Sequence, residues 1–155
     1  MLSRTADHLF WMSRYTERAE NTARMLDVNY QTSLLPQSEA VAQLGWQGLL
    51  SISELQAAYG ERYGDVRPQA VMEFMVKDET NPSSIISCLR AARENARAVR
   101  GSLTTEVWET QNQTWLEVNR MLAQFEQMQS MMKKFKGAGM MKMMRGMKGM
   151  LPGLR

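Results

Sequence analysis

Apolar residues recur at helical spacing along most of this chain, and this pattern constrains the fold more than any other feature. Side chains three and four residues apart lie on one face of an α-helix, where they can pack against neighbours. The clearest row lies in the first predicted helix, over about residues 3–29, and consists of Leu9, Met12, Thr16, Ala19, Ala23, Leu26 and Tyr30. The alternation typical of β-strands is scarce. The sequence therefore predicts an all-α fold.

Turn signals divide the pattern into successive helices. We expect a second helix over about 38–58 and a short one over 68–76. The Asn-Pro-Ser sequence at 81–83 is typical of a helix start, with Ser83 as the capping residue. A long helix is predicted over about 105–136. The expected architecture is an up-and-down helical array, or bundle, with a flexible C-terminal amphipathic helix.

Charge and methionine content divide the chain into two predicted domains, 1–116 and 117–155. The first carries a net charge of −3 and the second a net charge of +6. Ten of the 15 methionines lie between Met121 and Met150. The predicted long helix crosses this boundary. We therefore expect any electrostatic partner to bind the second domain.

The chain offers few groups for catalysis or metal binding. His8 and Cys88 are the single histidine and the single cysteine, so common zinc sites and Cys–His or Ser–His–Asp catalysis lack their residues. We therefore predict no enzyme activity, no catalytic residue, no metal and no cofactor. The lone thiol is expected to be buried in a reducing, cytoplasmic protein. No signal-peptide pattern and no run of about 18 apolar residues occurs.

Polar side chains cluster at helical spacing in two of the predicted helices. They are Arg14, Glu17, Arg18, Glu20, Asn21 and Arg24 in the first, and Arg93, Glu94, Asn95 and Arg97 in the fourth. One interpretation is a pair of solvated helix faces with ion pairs worth a few tenths of a kcal/mol each. The other is a buried Glu/Arg network at a helix crossing, able to hold a carboxylate or phosphate.

The same residues carry a resemblance to a known family. The chain contains RTADHLFWMSRYTERAENTARMLDV and NPSSIISCLRAARENARAVRGSLTTEVWETQNQTWLE. Over 1–116 it resembles the bacterial Alpha-E proteins, which are all-helical and named for a Glu-Arg signature. The resemblance places the family motif at Glu17-Arg18, Glu20, Arg24 and 93–97. It also implies association with ATP-grasp, amidoligase or transglutaminase-type enzymes of peptide modification.

Members of that family have a second helix of the Glu-Arg type, which has no counterpart here. Apolar faces that it would cover are then expected to be uncovered. We expect either homo-oligomer formation through these faces or cover by the C-terminal segment.

From Glu117 the sequence resembles a different family. The chain ends in EVNRMLAQFEQMQSMMKKFKGAGMMKMMRGMKGMLPGLR, which is similar to the end of the methionine-rich domain of the bacterial signal recognition particle protein. The resemblance implies a last helix near the signal-peptide groove and the RNA-binding element. The loop that meets the RNA in that family has no counterpart here.

Helical spacing places the methionines and the cations of 140–151 on different faces. The residues predicted to bind an apolar helix are Met128, Met131, Met132, Met140, Met143, Met144, Met147 and Met150. Those predicted to contact an anionic partner are Lys133, Lys134, Lys136, Lys142, Arg145 and Lys148. Methionine suits varied apolar partners because its side chain is flexible. The alternative is that the methionines pack over the first domain.

Three interpretations of function follow. The preferred one is a non-enzymatic helical binding protein whose second domain contacts a hydrophobic signal-type helix, RNA or an anionic membrane surface. The second is an Alpha-E accessory protein of peptide-modifying enzymes. The third is a chimeric or truncated product without an evolved function.

Overall fold

A computed structural model describes residues 2–134, and every regular element in this range is helical. The α-helices are α1 (Leu2–Ser33), α2 (Glu39–Ile52), α3 (Gln56–Tyr63), α4 (Pro68–Val76), α5 (Ile85–Ala98) and α6 (Thr105–Lys134). A short 3-10 turn, Arg100–Ser102, precedes α6. The prediction of an all-α helical array is confirmed, and α6 includes the predicted boundary near residue 117. The predicted C-terminal amphipathic helix lies outside the described residues.

The chain divides into two compact units, Met1–Glu117 and Val118–Arg155. Helices α1 to α5 belong to the first unit. These units do not test the assignment of 1–116 and 117–155 to two different families, which stays a prediction.

The apolar core of the first unit lies where α1, α2, α3 and α4 meet. Its buried side chains are Leu26, Trp46, Leu49, Leu50, Tyr59, Ala70, Val71, Phe74 and Met75. Tyr59 stacks on Tyr63 at a ring-centroid distance of 5.2 Å and meets Phe74 edge-on at 5.5 Å. The Tyr59 hydroxyl donates to the Asp65 carbonyl at 3.2 Å. This bond satisfies the polar end of a buried ring.

Helix α2 differs from its prediction in length. It ends at Ile52 because Glu54 takes a left-handed conformation with φ of 56°, and α3 begins at Gln56. Trp46 and Leu50 are buried, whereas Leu44 is 63% exposed. Two apolar faces therefore occur on this helix, and only one of them is buried.

Helix α5 packs along α1 through a face of small side chains. Ala92 and Ala96 are fully buried, and Leu89 and Val99 are almost so; their spacing of three and four residues is that of one helix face. The capping residue is Ser84, whose Oγ accepts from the Ser87 N–H at 3.2 Å. The predicted cap, Ser83, was wrong by one residue. A β-region backbone at Ser84, with ψ of 152°, sets this start.

The first part of α6 is held to α1 and α5 mainly by polar contacts. Gln111 Nε2 donates to Thr16 Oγ1 at 3.0 Å. The guanidinium of Arg90 lies 5.7 Å from the Trp115 ring centroid, and that of Arg100 lies 5.1 Å from the Trp108 ring centroid. Cation–π contacts of this kind fix amphipathic side chains at partly exposed positions.

Candidate functional site

The Glu-Arg residues of α1 form pairs within that helix. Arg14 Nη1 donates to Glu17 Oε2 at 2.9 Å, with the two side chains 51% and 56% exposed. Arg24 pairs with Glu20 one turn apart, and both side chains are more than half exposed. Since water screens such pairs, each contributes only a few tenths of a kcal/mol. Their role in stability is therefore small.

The motif residues of α5 are arranged around Arg93. Its Nε donates to Asn112 Oδ1 of α6 at 2.8 Å, and its Nη1 lies 3.4 Å from Glu94 Oε1. Glu94 also pairs with Arg97, at 3.6 Å. Arg93 thereby links α5 to α6, a role that its spacing in the sequence did not predict.

A hydrogen bond joins the two motif helices through Asn95. Its Nδ2 donates to the Ala91 carbonyl at 2.8 Å, so its Oδ1 is the atom that accepts from His8 Nδ1, also at 2.8 Å. His8 Nδ1 must therefore carry the proton. No ion pair joins the α1 and α5 motif residues in the described part of the chain, so these residues fit the first interpretation, ion pairs on solvated helix faces, and not the buried Glu/Arg network. Glu17, Glu20 and Glu94 instead pair with arginines of their own helices, and Arg93 also bonds α6.

Arg18 differs from the other arginines of the motif. Arg14, Arg24, Arg93 and Arg97 each pair with a glutamate, whereas no carboxylate among residues 2–134 lies within ion-pairing distance of Arg18. Its side chain lines a surface depression of about 130 Å³. The other lining residues are Arg14, Glu17, Asn21, Thr22 and Met25.

The charge of Arg18 also acts on the buried thiol of Cys88. Burial raises the pKa of that thiol above its ordinary value, and the positive charge of Arg18 partly opposes this effect. The thiol donates a weak hydrogen bond to the Pro82 carbonyl at 3.5 Å. Cys88 is fully buried, so its predicted role as a buried apolar residue is confirmed. Arg18 therefore lies beside the packed α1–α5 contact while its own side chain is exposed.

A buried carboxylate, Asp78, was missed by the sequence analysis. Its Oδ2 accepts from Tyr63 Oη and from Arg62 Nε, both at 2.9 Å, and its Oδ1 accepts from the Thr80 N–H and hydroxyl. Burial would raise the pKa of Asp78, but these hydrogen bonds and the Arg62 charge outweigh it and lower the pKa. The Asp-x-Thr spacing of an Asx turn was the available signal.

An exposed apolar row runs along the second part of α6. Met121, Phe125, Met128 and Met132 are 65%, 52%, 55% and 54% exposed. At 3.6 residues per turn these four side chains fall within an arc of about 60°. Met131 is also half exposed, to one side of the row. Met121 and Phe125 were not among the predicted binding residues, although their spacing from Met128 could have identified them.

Most residues predicted for the C-terminal segment cannot be placed. Met140, Met143, Met144, Met147, Met150, Lys136, Lys142, Arg145 and Lys148 lie outside the described residues, as does the side chain of Lys134. Lys133 is exposed on α6. The predicted contacts of this segment with apolar or anionic partners stay predictions.

The described residues contain neither a cluster of metal ligands nor a helix that could span a membrane. No group of three His, Cys, Asp or Glu side chains within 2–134 is placed to hold a metal ion. None of the described helices has the length and apolar character needed to cross a membrane.

The fold and the two motif helices define an all-α protein with a Glu-Arg surface. Residues 1–150 match the model of Alpha-E, a predicted alpha-helical domain with a conserved ER motif. The chain belongs to the Alpha-E family. The match continues past residue 116, the last residue that the sequence analysis gave to this family.

One of the curated relatives is the protein that the end of the sequence resembles. The chain is 35% identical over 105 residues to the signal recognition particle protein of Escherichia coli, which covers 68% of the chain and 22% of that protein. An uncharacterised protein of Mycobacterium bovis is 30% identical over 118 residues, covering 68% of the chain and 13% of the relative. The chain thus spans less than a quarter of either relative. No solved structure matches it.

The match to the signal recognition particle protein is longer than the segment 117–155, on which the resemblance was based. Its 105 aligned residues exceed the whole of 117–155, so part of the likeness lies in the first predicted domain. The two likenesses therefore overlap in this chain.

Proposed function

We propose that the chain is a non-enzymatic helical binding protein that holds an apolar helix against the second part of α6. The supporting observation is the exposed row of Met121, Phe125, Met128 and Met132. An unpartnered row of this kind is the usual docking surface for an amphipathic or apolar helix. Full burial of one such side chain contributes about 1.5–3 kcal/mol, and each of the four still has more than half of its surface to bury.

A signal-type peptide is the partner that this row suits best. Methionine adapts to apolar partners of varied shape, and signal-type helices vary in sequence. The likeness to a signal recognition particle protein, whose name refers to recognition of a signal, also supports the proposal. Exposed cations near the row, Arg120 and Lys133, favour a partner with an acidic or polar flank.

Introducing a negative charge into the row tests the proposal. Met128→Glu places a carboxylate at the centre of the row, and we expect it to weaken peptide binding at least tenfold, about 1.4 kcal/mol. The control is Ala123→Glu, which adds the same charge to the opposite face of α6. The measurement is fluorescence anisotropy of a labelled apolar helical peptide with the full chain. Equal binding by wild type and Met128→Glu would rule the row out.

RNA and anionic membranes are the other partners expected for a basic segment. Titration with RNA at about 50 and 200 mM salt tests RNA binding, because phosphate contacts weaken steeply with salt. Vesicles with and without anionic lipid test the membrane. Binding to either that is unchanged in Met128→Glu would assign the function to the cations instead of the apolar row.

A second candidate function is an accessory role beside peptide-modifying enzymes. Membership of the Alpha-E family and the unpaired Arg18 favour it. Co-purification with ATP-grasp or amidoligase-type enzymes, lost on replacement of Glu17 and Arg18 but kept in Met128→Glu, would select this function over the first.

A further inference from the structure

We propose that Arg18, together with Arg14 and Asn21, forms a binding site for an oxyanion, the phosphate or carboxylate group of a ligand. The three residues occupy positions i−4, i and i+3 of α1 relative to Arg18, so they share one face of that helix. All three line the depression of about 130 Å³. This inference does not depend on the apolar row of α6.

The charge balance of the depression favours an anion. Its charged lining consists of two guanidiniums, Arg14 and Arg18, and one carboxylate, Glu17. Glu17 Oε2 accepts from Arg14 Nη1 at 2.9 Å. The N–H groups of the Arg18 guanidinium therefore have no carboxylate partner within the described residues. Glu17 therefore acts as a positioning residue that holds Arg14 beside Arg18. A planar guanidinium with free N–H groups binds phosphate or carboxylate in a bidentate manner.

The contrast between Arg18 and the other motif arginines argues against an ordinary solvated face. Four of them are neutralised by a glutamate at 3.6 Å or less. Arg18 lacks such a partner although Glu17 is its neighbour in sequence, because that carboxylate turns toward Arg14. Asn21 adds an amide donor whose side chain has no hydrogen-bond partner among residues 2–134. Hydrogen-bond donors that have no partner among the described residues are thereby concentrated at one point of α1.

The packing beneath the depression favours a fixed site. Thr22 is only 3% exposed and Ala19 only 4%, so this stretch of α1 is held against its neighbours. Arg18 extends from this rigid backbone and lies near the buried Cys88. A charge beside a low-dielectric interior interacts more strongly with an anion than one surrounded by water.

Backbone-amide NMR of the full chain, titrated with pyrophosphate and separately with glutarate, tests the proposal. We expect saturable shifts centred on residues 14–25. Arg18→Gln should weaken binding at least tenfold, because it removes a charge-assisted bidentate contact. Arg18→Lys should retain part of the affinity, as a point charge without a fork. A response to pyrophosphate alone would identify a phosphate ligand. A response to both compounds would show that the site also binds a carboxylate.

Arg4→Gln is the matched control, since Arg4 is an exposed arginine of the same helix without a glutamate partner in the described range. Its affinity should equal that of wild type. Binding that Arg18→Gln leaves unchanged, shifts confined to residues outside 14–25, or no saturable shift in wild type would each overturn the proposal. Far-UV circular dichroism of each variant establishes that helicity is retained. The shift map of wild type decides the matter even if a variant fails to fold.

Discussion

Asp78 is a buried residue with both side-chain oxygens hydrogen-bonded. Its side chain is 2% exposed, yet it receives hydrogen bonds from Tyr63, Thr80 and Arg62. A buried carboxylate is tolerated only when its oxygens are occupied in this way. It ties the loop after α4 to the end of α3, and so it fixes the approach to α5.

Asp78→Asn should destabilise the first unit by about 1–3 kcal/mol, because Asn replaces one acceptor oxygen with an NH2 donor at a buried position. Half of the Arg62 side chain is exposed, so solvent screening keeps its share of this effect small. Urea denaturation at neutral pH measures the change. Asp65→Asn, at an exposed position, removes the same charge and should cost little.

The lowered pKa of Asp78 also gives a pH dependence. Its contribution to stability is complete above the unfolded pKa of about 3.9 and is lost as pH falls through the lower folded pKa. The wild type should therefore lose more stability between about pH 5 and 2 than Asp78→Asn does. Identical slopes for the two proteins would contradict this assignment.

At the scale of elements, the start of α5 depends on one hydroxyl. Ser84 Oγ accepts from the Ser87 N–H and bonds the Ser87 hydroxyl at 2.9 Å. Ser84→Ala should cost about 0.5–2 kcal/mol, as is usual for an N-cap. Ser83→Ala is the control, because the neighbouring serine makes no such contact. Thermal unfolding followed by circular dichroism distinguishes the two.

Helix positions were predictable where one apolar face dominates and turn residues are explicit. Pro68 marked the start of α4 correctly, and Leu89, Ala92 and Ala96 marked the buried face of α5. For α2 the apolar residues do not define one face, since Leu44 and Leu50 point to different sides and only tertiary packing selects between them. The left-handed Glu54 carries no sequence signal that would separate α2 from α3.

The candidate sites were predictable only as sets of residues. The spacing of Arg14, Glu17 and Arg18 placed them on one helix, with Arg14 and Glu17 as neighbours on its surface. Which guanidinium is left unpaired depends on side-chain geometry. The contacts of Asn95 with His8 and of Arg93 with Asn112 join residues distant in sequence, and spacing within one helix does not report them.

For the whole molecule, stability rests on the core formed by α1 to α4. Leu50 is 1% exposed and Leu44 of the same helix is 63% exposed. Leu50→Ala should destabilise the protein by about 2–5 kcal/mol through lost burial and the cavity left behind. Leu44→Ala should change stability by less than about 0.5 kcal/mol. Guanidinium denaturation of both variants measures the difference, and similar midpoints would show that the core is misplaced.

Uncovered apolar side chains are numerous in this molecule. Beside the row on α6, Val28 and Ile52 are 64% and 77% exposed near a groove of about 410 Å³ between α1 and α2. Surfaces of this kind attract partners or further copies of the chain. Sedimentation across a range of concentrations therefore belongs with every binding measurement above.

The complete enclosure of Cys88 has a practical use. Because the native sulfhydryl is shielded and its ionisation is suppressed, a cysteine introduced on the surface would react alone with maleimide dyes under non-denaturing conditions. The wild-type background can then carry a single reporter for distance or mobility spectroscopy, without first removing a side chain that the α1–α5 contact needs.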